Sequence, residues 1–209
     1  MAESRRSAAR QRAQIRAGRR ILITSLTGFA VLAAALIGYV ELVAHPAAAP
    51  TAIVDRFELV DQDGTAVSDA TYRGKWLLIY FGYTHCPDAC PTTLNDIAEA
   101  LDGLGAKRQA IQPLFITIDP ERDTPPVLKG YAAAFQAGIV GLTGSPDQIG
   151  HVAKNFHVYY QRDQGSDRDY AMSHSSVIYL IGPDGRFVTL LTGEATPEAI
   201  HAALLRFVT

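Results

Sequence analysis

The two cysteines of this 209-residue chain lie where a buried strand gives way to a helix. Residues 76–81, WLLIYF, form a continuous apolar run of the kind found in central strands. From residue 94 to residue 104, apolar side chains recur at helical spacing instead. Cys86 and Cys90 fall between the two patterns, and a proline directly follows each of them. The sequence therefore predicts a strand–turn–helix unit with both sulfurs near the start of the helix.

This position restricts the chemistry that the sulfurs can carry out. Pro91, and on a longer helix Pro87, suits a first helical turn, where a missing N–H has no cost. Unpaired amide groups and the helix dipole favour negative charge there, so we expect the thiols to ionise readily. If the helix includes both cysteines, the four-residue spacing brings their sulfurs to one face. Two soft donors suit Cu(I), Zn(II) or a disulfide; the alternative is a pair of inert buried thiols or a structural disulfide.

The N-terminal part is predicted to anchor the chain in a membrane. Residues 1–20 contain seven arginines and one glutamate, and the only charge in the apolar residues 21–44 is Glu41. A helix of these 24 residues would be about 36 Å long, enough to cross a hydrocarbon core of about 30 Å. Because arginines before such a helix stay in the cytoplasm, we expect a basic cytoplasmic tail and a single-pass transmembrane anchor. The C-terminal body would then lie on the periplasmic side of the cell inner membrane, or in the intermembrane space of a mitochondrion.

Two other interpretations of this stretch remain open. Small residues at 47–49 could end a cleaved signal peptide, although the apolar regions of signal peptides usually run for only about 7–15 residues. Arg19 and Arg20, followed by apolar residues, are a weak match to a twin-arginine export signal. The length of the apolar stretch favours an uncleaved anchor.

Residues 45–50, HPAAAP, are predicted to be a linker, and residues 51–209 a single folded domain. The whole chain has a net charge of −2; because residues 1–20 contribute +6 and Glu41 contributes −1, residues 45–209 carry −7. An acidic body argues against nucleic acid as the partner of the folded part.

Strands and helices alternate along the folded body. Turn residues and capping residues delimit seven predicted strands, at residues 57–60, 65–67, 76–81, 114–118, 139–142, 176–181 and 187–191. Helices are predicted after the cysteines, after Thr124, after the capping box at 145–148 and after Thr196. Residues 161–170 are predicted to be a polar loop. This order indicates an α/β protein with a central β-sheet flanked by helices, and the early cysteine pair favours a thioredoxin-like fold.

A histidine distinguishes the chain from ordinary thiol oxidoreductases. The Cys-x-x-x-Cys spacing is one residue longer than the redox motif, and residues 172–175 hold His174 where thioredoxin-like reductases carry a proline. As part of a loop before the next strand, His174 can reach the cysteines. Two sulfurs and one nitrogen form a three-coordinate set that Cu(I) accepts, whereas structural zinc almost always takes four ligands. The alternative is a hydrogen-bonded loop histidine with no ligand role.

The remaining histidines of the body are weaker candidates for a metal site. His85 adjoins Cys86, and neighbouring residues at a turn rarely point at the same ion, so it is expected beside the site or on the surface. His151 and His201 lie outside the apolar stripes of their helices, and His157 follows a helix end, so all three are expected on solvated faces.

Four segments of the body closely resemble the SCO/SenC family of copper-binding assembly factors for cytochrome c oxidase. These segments are GYTHCPDACPTTL from residue 82, FITIDPERDTP from residue 115, IVGLTGS from residue 139 and SHSSVIYLIGPDGRF from residue 173. The resemblance runs over essentially all of residues 55–208 and implies that Cys86, Cys90 and His174 are copper ligands. Ser173 departs from the pattern, because an acidic residue often precedes the histidine in that family.

The resemblance implies a metallochaperone with Cu(I) as its cargo, which is not an enzyme, or a reductase of the cysteines at the acceptor's copper site; we expect the metallochaperone. Such a protein delivers copper to the binuclear copper site of oxidase subunit II, its expected partner, or takes part in exchange with another copper donor or acceptor protein. Cu(II) would need a further ligand or water, and Asp88 and Asp119 are candidates to tune the site; helix capping and loop solvation are their alternative roles. A disulfide between Cys86 and Cys90 would instead suit a thiol–disulfide oxidoreductase that reduces the acceptor's cysteines. A peroxidase is disfavoured, because Tyr83 stands three residues before Cys86 where it would carry a threonine, and Ile79 stands seven residues before it where it would carry a proline.

Overall fold

The computed structural model describes residues 56–165 and 170–208, and a mixed β-sheet lies at the centre of this part. The strands in chain order are β1 (Glu58–Asp61), β2 (Ala66–Ser68), β3 (Trp76–Gly82), β4 (Ile111–Thr117), β5 (Val140–Thr143), β6 (Tyr160–Arg162), β7 (Met172–His174), β8 (Val177–Ile181) and β9 (Phe187–Thr192). The central sheet has the order β2-β1-β5-β4-β3-β8-β9, and β6 and β7 form a separate two-stranded ribbon.

The predicted tail, anchor and linker, residues 1–50, lie outside the described residues. In the described part of the chain, no helix is both long enough and apolar enough to cross a membrane.

The helices are α1 (Ala89–Asp102), α2 (Pro125–Ala133), α3 (Pro146–Asn155) and α4 (Pro197–Phe207), with short 3₁₀ segments at Asp69–Tyr72 and Gly105–Ala110. The capping box before α3 forms as the sequence predicts: Ser145 Oγ accepts the Gln148 N–H at 3.2 Å, and Gln148 Oε1 accepts the Ser145 N–H at 2.8 Å. A proline stands at the start of α2, α3 and α4, where its missing N–H has no cost. The predicted helix starts are therefore confirmed at these three places.

The strand directions bring three chain segments to one edge of the sheet. β3 pairs in parallel with β4, and Gly82 lies opposite Thr117, so both strands end at that edge. β8 runs antiparallel to β3, with Ile178 opposite Tyr80, so the residues before β8 arrive at the same edge. The turn before α1, the turn before α2 and the segment before β8 therefore meet.

The platform beneath this edge is tightly packed. Tyr80 and Phe81 of β3 and Phe115 of β4 have no exposed surface, as their continuous apolar runs predict. α1 adds Leu94 and Leu101 to the same core. Burial of one large apolar side chain contributes about 1.5–3 kcal/mol to the free energy of folding, so we expect this part of the sheet to be stable and rigid beneath the site.

The ribbon of β6 and β7 corrects two sequence predictions. Residues 161–170 were predicted to be a loop, but β6 includes Gln161 and Arg162; residues 166–169 lie outside the described residues. His174 was expected in a loop, but it ends β7 and pairs with Tyr160 across the ribbon. Each of these strands has only three residues, and none of them is buried, so they show no apolar alternation that would reveal them in the sequence.

Candidate metal centre

The structure brings the predicted site residues to the same edge of the sheet. The Sγ atom of Cys90 lies 3.7 Å from Nε2 of His174. The backbone N–H of Cys90 also points at Cys86 Sγ, over an N···S distance of 3.3 Å. An ion about 2.3 Å from a sulfur and about 2.0 Å from a nitrogen keeps these two donors within about 4.3 Å of each other. The pair formed by Cys90 and His174 therefore fits one shared ion.

A turn, rather than a helix face, brings the two cysteines together. α1 begins at Ala89, so Cys90 is its second residue and Cys86 precedes the helix. The helix does not include both cysteines, so the condition under which helical spacing would align the two sulfurs is not met, although Pro91 does occupy the first turn. Both cysteines are free in this structure, Cys86 partly exposed and Cys90 buried.

Burial determines the acidity of Cys90. Its side chain has no exposed surface, and this desolvation raises the pKa of the thiol to about 12. The expectation that the helix start would make this thiol ionise readily is therefore wrong, because loss of solvent outweighs the helix dipole. The Cys90 thiol therefore keeps its proton at neutral pH unless a metal ion binds the sulfur in its place.

Tyr80, on β3, lies next to Cys90. Its hydroxyl is 3.9 Å from Cys90 Sγ and 3.2 Å from the hydroxyl of Ser176. Because Tyr80 has no exposed surface, its hydroxyl depends on these protein partners rather than on solvent. The sulfur of Cys90 thus contacts both the Tyr80 hydroxyl and the His174 imidazole.

His174 presents its Nε2 lone pair to the sulfur. Its Nδ1 lies 3.0 Å from the carbonyl oxygen of Ser175, and a carbonyl can only accept, so Nδ1–H is the donor. The rings of Tyr83 and Tyr80 approach the imidazole edge-on, at centroid distances of 6.1 and 6.3 Å. Burial lowers the pKa of His174 and favours the neutral ring. A neutral imidazole fixed through Nδ1–H is the form that binds metals.

Asp123 holds the turn that leads to Cys86, and the sequence analysis missed it. This fully buried carboxylate accepts the Thr84 N–H at 3.0 Å, the Thr84 hydroxyl at 2.5 Å and the Thr117 hydroxyl at 2.6 Å. Burial raises the pKa of Asp123, against the lowering effect of these donors. The segment DPERDTP contains the residue, but only the tertiary structure shows that it bonds to a turn 39 residues earlier.

The two aspartates proposed to tune the site have different surroundings. Asp88 is exposed at the N-cap of α1, and its carboxylate is 3.5 Å from the Thr92 hydroxyl. Asp119 is buried and accepts the Tyr170 hydroxyl at 2.8 Å and the Nε–H of Arg122. Among the described contacts, neither carboxylate bonds to a cysteine or to His174.

Among the described residues, none of the other histidines is hydrogen-bonded to either sulfur. His85 is largely exposed, with Nδ1 3.2 Å from Thr84 Oγ1 and 3.9 Å from Asp123 Oδ1. His151 and His157 are exposed, as predicted. The prediction for His201 is wrong: its side chain is half-buried, and Nδ1 lies 2.9 Å from the Ala100 carbonyl oxygen.

Across residues 56–165 and 170–208, no three His, Cys, Asp or Glu side chains form a preassembled metal-binding group. The donor chemistry nevertheless suits a soft ion, because two sulfurs and one imidazole nitrogen lie at one edge. That Cys86, Cys90 and His174 share a metal stays a prediction from the sequence.

Known proteins similar to this chain share its sequence and its fold. A family model described as SCO1/SenC matches residues 45–209. The chain is 42% identical over 144 residues to Protein SCO1 homolog 1, mitochondrial, of Arabidopsis thaliana, which covers 68% of this chain and 43% of that protein. It spans less than two thirds of the length of several mitochondrial relatives, including mouse and bovine SCO2 homologues.

Solved structures agree with these matches. The structure of Bradyrhizobium japonicum ScoI with copper bound superposes with a TM-score of 0.67 at 44% identity, over 73% of this chain and 97% of that one. The structure of BsSco, described as a member of the Sco family of cytochrome c oxidase assembly proteins, matches with a TM-score of 0.60 at 29% identity, over 73% of this chain and 89% of that one. These likenesses confirm the predicted thioredoxin-like α/β fold.

Proposed function

Because this chain belongs to the SCO1/SenC family, we propose that it is a membrane-anchored copper chaperone that binds copper through Cys86, Cys90 and His174. Its acceptor is the binuclear copper site of cytochrome c oxidase subunit II. The observation that carries the ligand set is the 3.7 Å separation between Cys90 Sγ and His174 Nε2. The copper in the related ScoI structure supports the choice of metal, and the BsSco description supports a role in oxidase assembly.

The residues of the site have distinct tasks in loading. The neutral imidazole offers Nε2 without losing a proton, because Nδ1–H is already bonded to the Ser175 carbonyl. The Cys90 thiol must release its proton as copper binds, since burial raises its pKa to about 12. Loading therefore releases a proton from a buried group, and copper takes the place of that proton against the sulfur.

Release is proposed to begin at Cys86. Its sulfur is partly exposed, whereas Cys90 is enclosed by the sheet and the helix. An incoming acceptor thiolate can reach copper from the exposed side and displace the Cys86 sulfur first. Cu(I) then passes to the acceptor by stepwise exchange of sulfur ligands, with no change in its oxidation state.

A thiol–disulfide oxidoreductase is the alternative function. It is favoured by the contact between the Cys90 N–H and Cys86 Sγ, which brings the two residues together. The Cys86 thiolate would attack an acceptor disulfide to form a mixed disulfide, and Cys90 would then displace the reduced acceptor. Two electrons and two protons pass to the acceptor, and Cys86 and Cys90 end as a disulfide.

The same proposal includes the arrangement of the chain. Residues 1–20 form a basic cytoplasmic tail, residues 21–44 a transmembrane anchor and residues 45–50 a linker. Residues 51–209 form the copper-binding domain, on the periplasmic side of the inner membrane or in the mitochondrial intermembrane space. The arginine-rich start and the apolar stretch support this order. The mitochondrial names of several relatives support the mitochondrial alternative.

Anaerobic titration of the purified full chain with Cu(I) tests the ligand set. We expect one copper per chain, a thiol count that falls by two on loading, and strongly weakened binding for His174→Ala. Thiol exchange with a small disulfide should survive in His174→Ala, because it needs only the cysteines. If His174→Ala supports oxidase assembly as well as the parent chain does, the chaperone proposal is wrong and the oxidoreductase alternative gains.

A further inference from the structure

The strand that carries His174 is not part of the central sheet. Among the described strands, β7 pairs only with β6, and Tyr160 lies opposite His174. The ribbon joins the central sheet through Ser175 and Ser176, the two residues that precede β8. Besides the backbone connection to β8, the place of the imidazole relative to the cysteines therefore also depends on side-chain contacts between the ribbon and its surroundings.

A buried cluster of three side chains supplies such contacts. Asp119, just after β4, accepts the Tyr170 hydroxyl at 2.8 Å and the Nε–H of Arg122. Arg122 Nη1 donates to the Tyr170 carbonyl oxygen at 3.0 Å, and its guanidinium carbon lies 3.6 Å from the centroid of the Tyr170 ring. The side chains of Arg122 and Asp119 are only 14% and 3% exposed, so solvent screens these interactions little. Tyr170, two residues before β7, is thus hydrogen-bonded to the loop after β4 through both its backbone carbonyl and its side-chain hydroxyl.

The Arg122 guanidinium also contacts Tyr83, one of the two tyrosine rings that pack against the His174 imidazole. Arg122 lies 5.8 Å from the centroid of the Tyr83 ring, within the range of a cation–π contact. Tyr83 in turn meets the His174 ring edge-on at 6.1 Å. A continuous row of contacts therefore runs from Tyr170 through Arg122 and Tyr83 to His174.

We propose that Arg122 is a positioning residue for His174, and that it keeps the imidazole against the Cys90 sulfur by tying Tyr170 and Tyr83 to the loop after β4. The proposal rests on the proposed function, in which His174 binds copper. Only arginine suits the position, because its planar fork can bond to Asp119 and to the Tyr170 carbonyl while its face stacks on an aromatic ring. The ammonium group of lysine is neither planar nor able to donate to both acceptors while it stacks on a ring.

A double-mutant cycle on the full chain tests whether Arg122 acts through His174. Cu(I) affinity is measured anaerobically against a chromophoric Cu(I) chelator for Arg122→Gln, His174→Ala and the double variant. Outer residues that orient a ligand typically change metal affinity by about 10- to 100-fold, and we expect a loss in that range for Arg122→Gln. In the His174→Ala background the same change should cause no further loss. Equal losses in both backgrounds would overturn the proposal, and so would the absence of any loss in a chain whose Cu(I) affinity His174→Ala does reduce.

Arg73→Gln is the matched control. Arg73 also bonds to a carboxylate, that of Asp69, and to a backbone carbonyl, that of Asp184. It precedes β3, whereas the candidate site follows that strand, so it is at the opposite end of the sheet. Its variant should leave Cu(I) affinity unchanged.

A measurement without copper separates this proposal from the proposed function. In the full chain with ¹³C-labelled histidine, the ring signals of His174 feel the edge-on rings of Tyr83 and Tyr80. Arg122→Gln should shift these signals, and Arg73→Gln should not. If His174→Ala leaves Cu(I) affinity unchanged, the proposed ligand set fails, but a shift in these signals still supports the positioning role. Unchanged His174 signals in Arg122→Gln would overturn that role.

Tyr170→Phe provides a milder variant, because removal of Arg122 leaves the buried Asp119 without its cation and can prevent folding. It deletes only the hydroxyl that Asp119 accepts and keeps the aromatic face under Arg122. We expect a smaller loss of Cu(I) affinity and a smaller shift of the His174 signals, again with no loss of affinity in the His174→Ala background. A chain that folds and shows neither change would overturn the proposal.

Discussion

Gly82 faces the sulfur of Cys90 so closely that a methyl group on residue 82 would lie 2.8 Å from it. The same methyl group would lie 2.8 Å from the Phe115 ring, which is fully buried and cannot easily move aside. The last residue of β3 therefore sets the space in which the Cys90 sulfur sits. Any side chain there must displace the sulfur, the ring or the strand.

Gly82→Ala is predicted to weaken both the fold and the site. Overpacking of a closely packed interior usually costs about 1–3 kcal/mol. One of the atoms that the new methyl group would push aside is Cys90 Sγ, a proposed copper ligand. We expect that loss in the free energy of unfolding, measured with urea, together with reduced Cu(I) affinity. Gly130→Ala is the control, because its added methyl group would meet no atom within 4 Å and it lies in α2. That variant should be as stable as the parent or slightly more stable.

The two thiols are predicted to react at very different rates. Cys86 is partly exposed, whereas Cys90 is buried and its thiol has a pKa of about 12, so at pH 8 little of it is thiolate. Iodoacetamide should therefore modify Cys86 first in the metal-free folded chain, as read from peptide masses over time. After unfolding in urea the two rates should become similar. Faster modification of Cys90 in the folded chain would contradict the burial described above.

Asp123→Ala is predicted to be strongly destabilising. It leaves the Thr84 N–H and the hydroxyls of Thr84 and Thr117 without their acceptor, at a cost of about 1–3 kcal/mol for each buried group that finds no other partner. Asp123→Asn keeps an oxygen acceptor and should be milder. Chemical unfolding at neutral pH checks this order, and equal stability of the Ala variant and the parent would contradict it.

Asp123 also makes the free energy of unfolding depend on pH, and the direction of its raised pKa fixes the sign of that dependence. Because the folded pKa of Asp123 is raised, the unfolded chain loses this proton first as the pH rises from about 3.9. The contribution of the protonated carboxyl is therefore complete at low pH and is lost as the pH rises through the folded pKa. Comparison of unfolding free energies for the parent and Asp123→Asn across this range isolates the effect, which should be absent in the Asn variant.

Tyr80→Phe tests the hydroxyl next to the Cys90 sulfur. It removes the group that lies 3.9 Å from Cys90 Sγ and leaves Ser176 without its buried partner. We expect a loss of about 1 kcal/mol in unfolding free energy, typical of one hydrogen bond, with the fold preserved. Because the aromatic ring remains, a much larger loss of stability would show that the hydroxyl has a role beyond these two contacts.

Local sequence patterns predicted most of the fold. The apolar runs of β3 and β4, the capping box before α3 and the threonine before α4 each depend on residues close together in the chain, so their signals are readable directly. The ribbon of β6 and β7 was missed because its strands have three residues each and bury little. A strand that does not face the core carries no apolar alternation.

The contacts around the candidate site were less accessible to sequence reasoning. Cys86, Cys90 and His174 could be named because their residue types and placement restrict their chemistry. The roles of Asp123 and Arg122 depend on contacts with Thr84 and Tyr170, 39 and 48 residues away along the chain. The acidity of Cys90 was predicted with the wrong sign because the dipole of a helix can be read from a sequence, whereas the depth of a particular sulfur cannot.

The separate ribbon has a kinetic consequence. Short strands outside the main sheet open at a lower free-energy cost than the core, so the imidazole can leave while both cysteines keep their places. Under the proposed function, once an acceptor thiolate has displaced the Cys86 sulfur, loss of the imidazole from copper would depend on the opening frequency of two three-residue strands instead of the unfolding rate of the domain. The separate ribbon would thus let the imidazole withdraw without any opening of the core that holds Cys90.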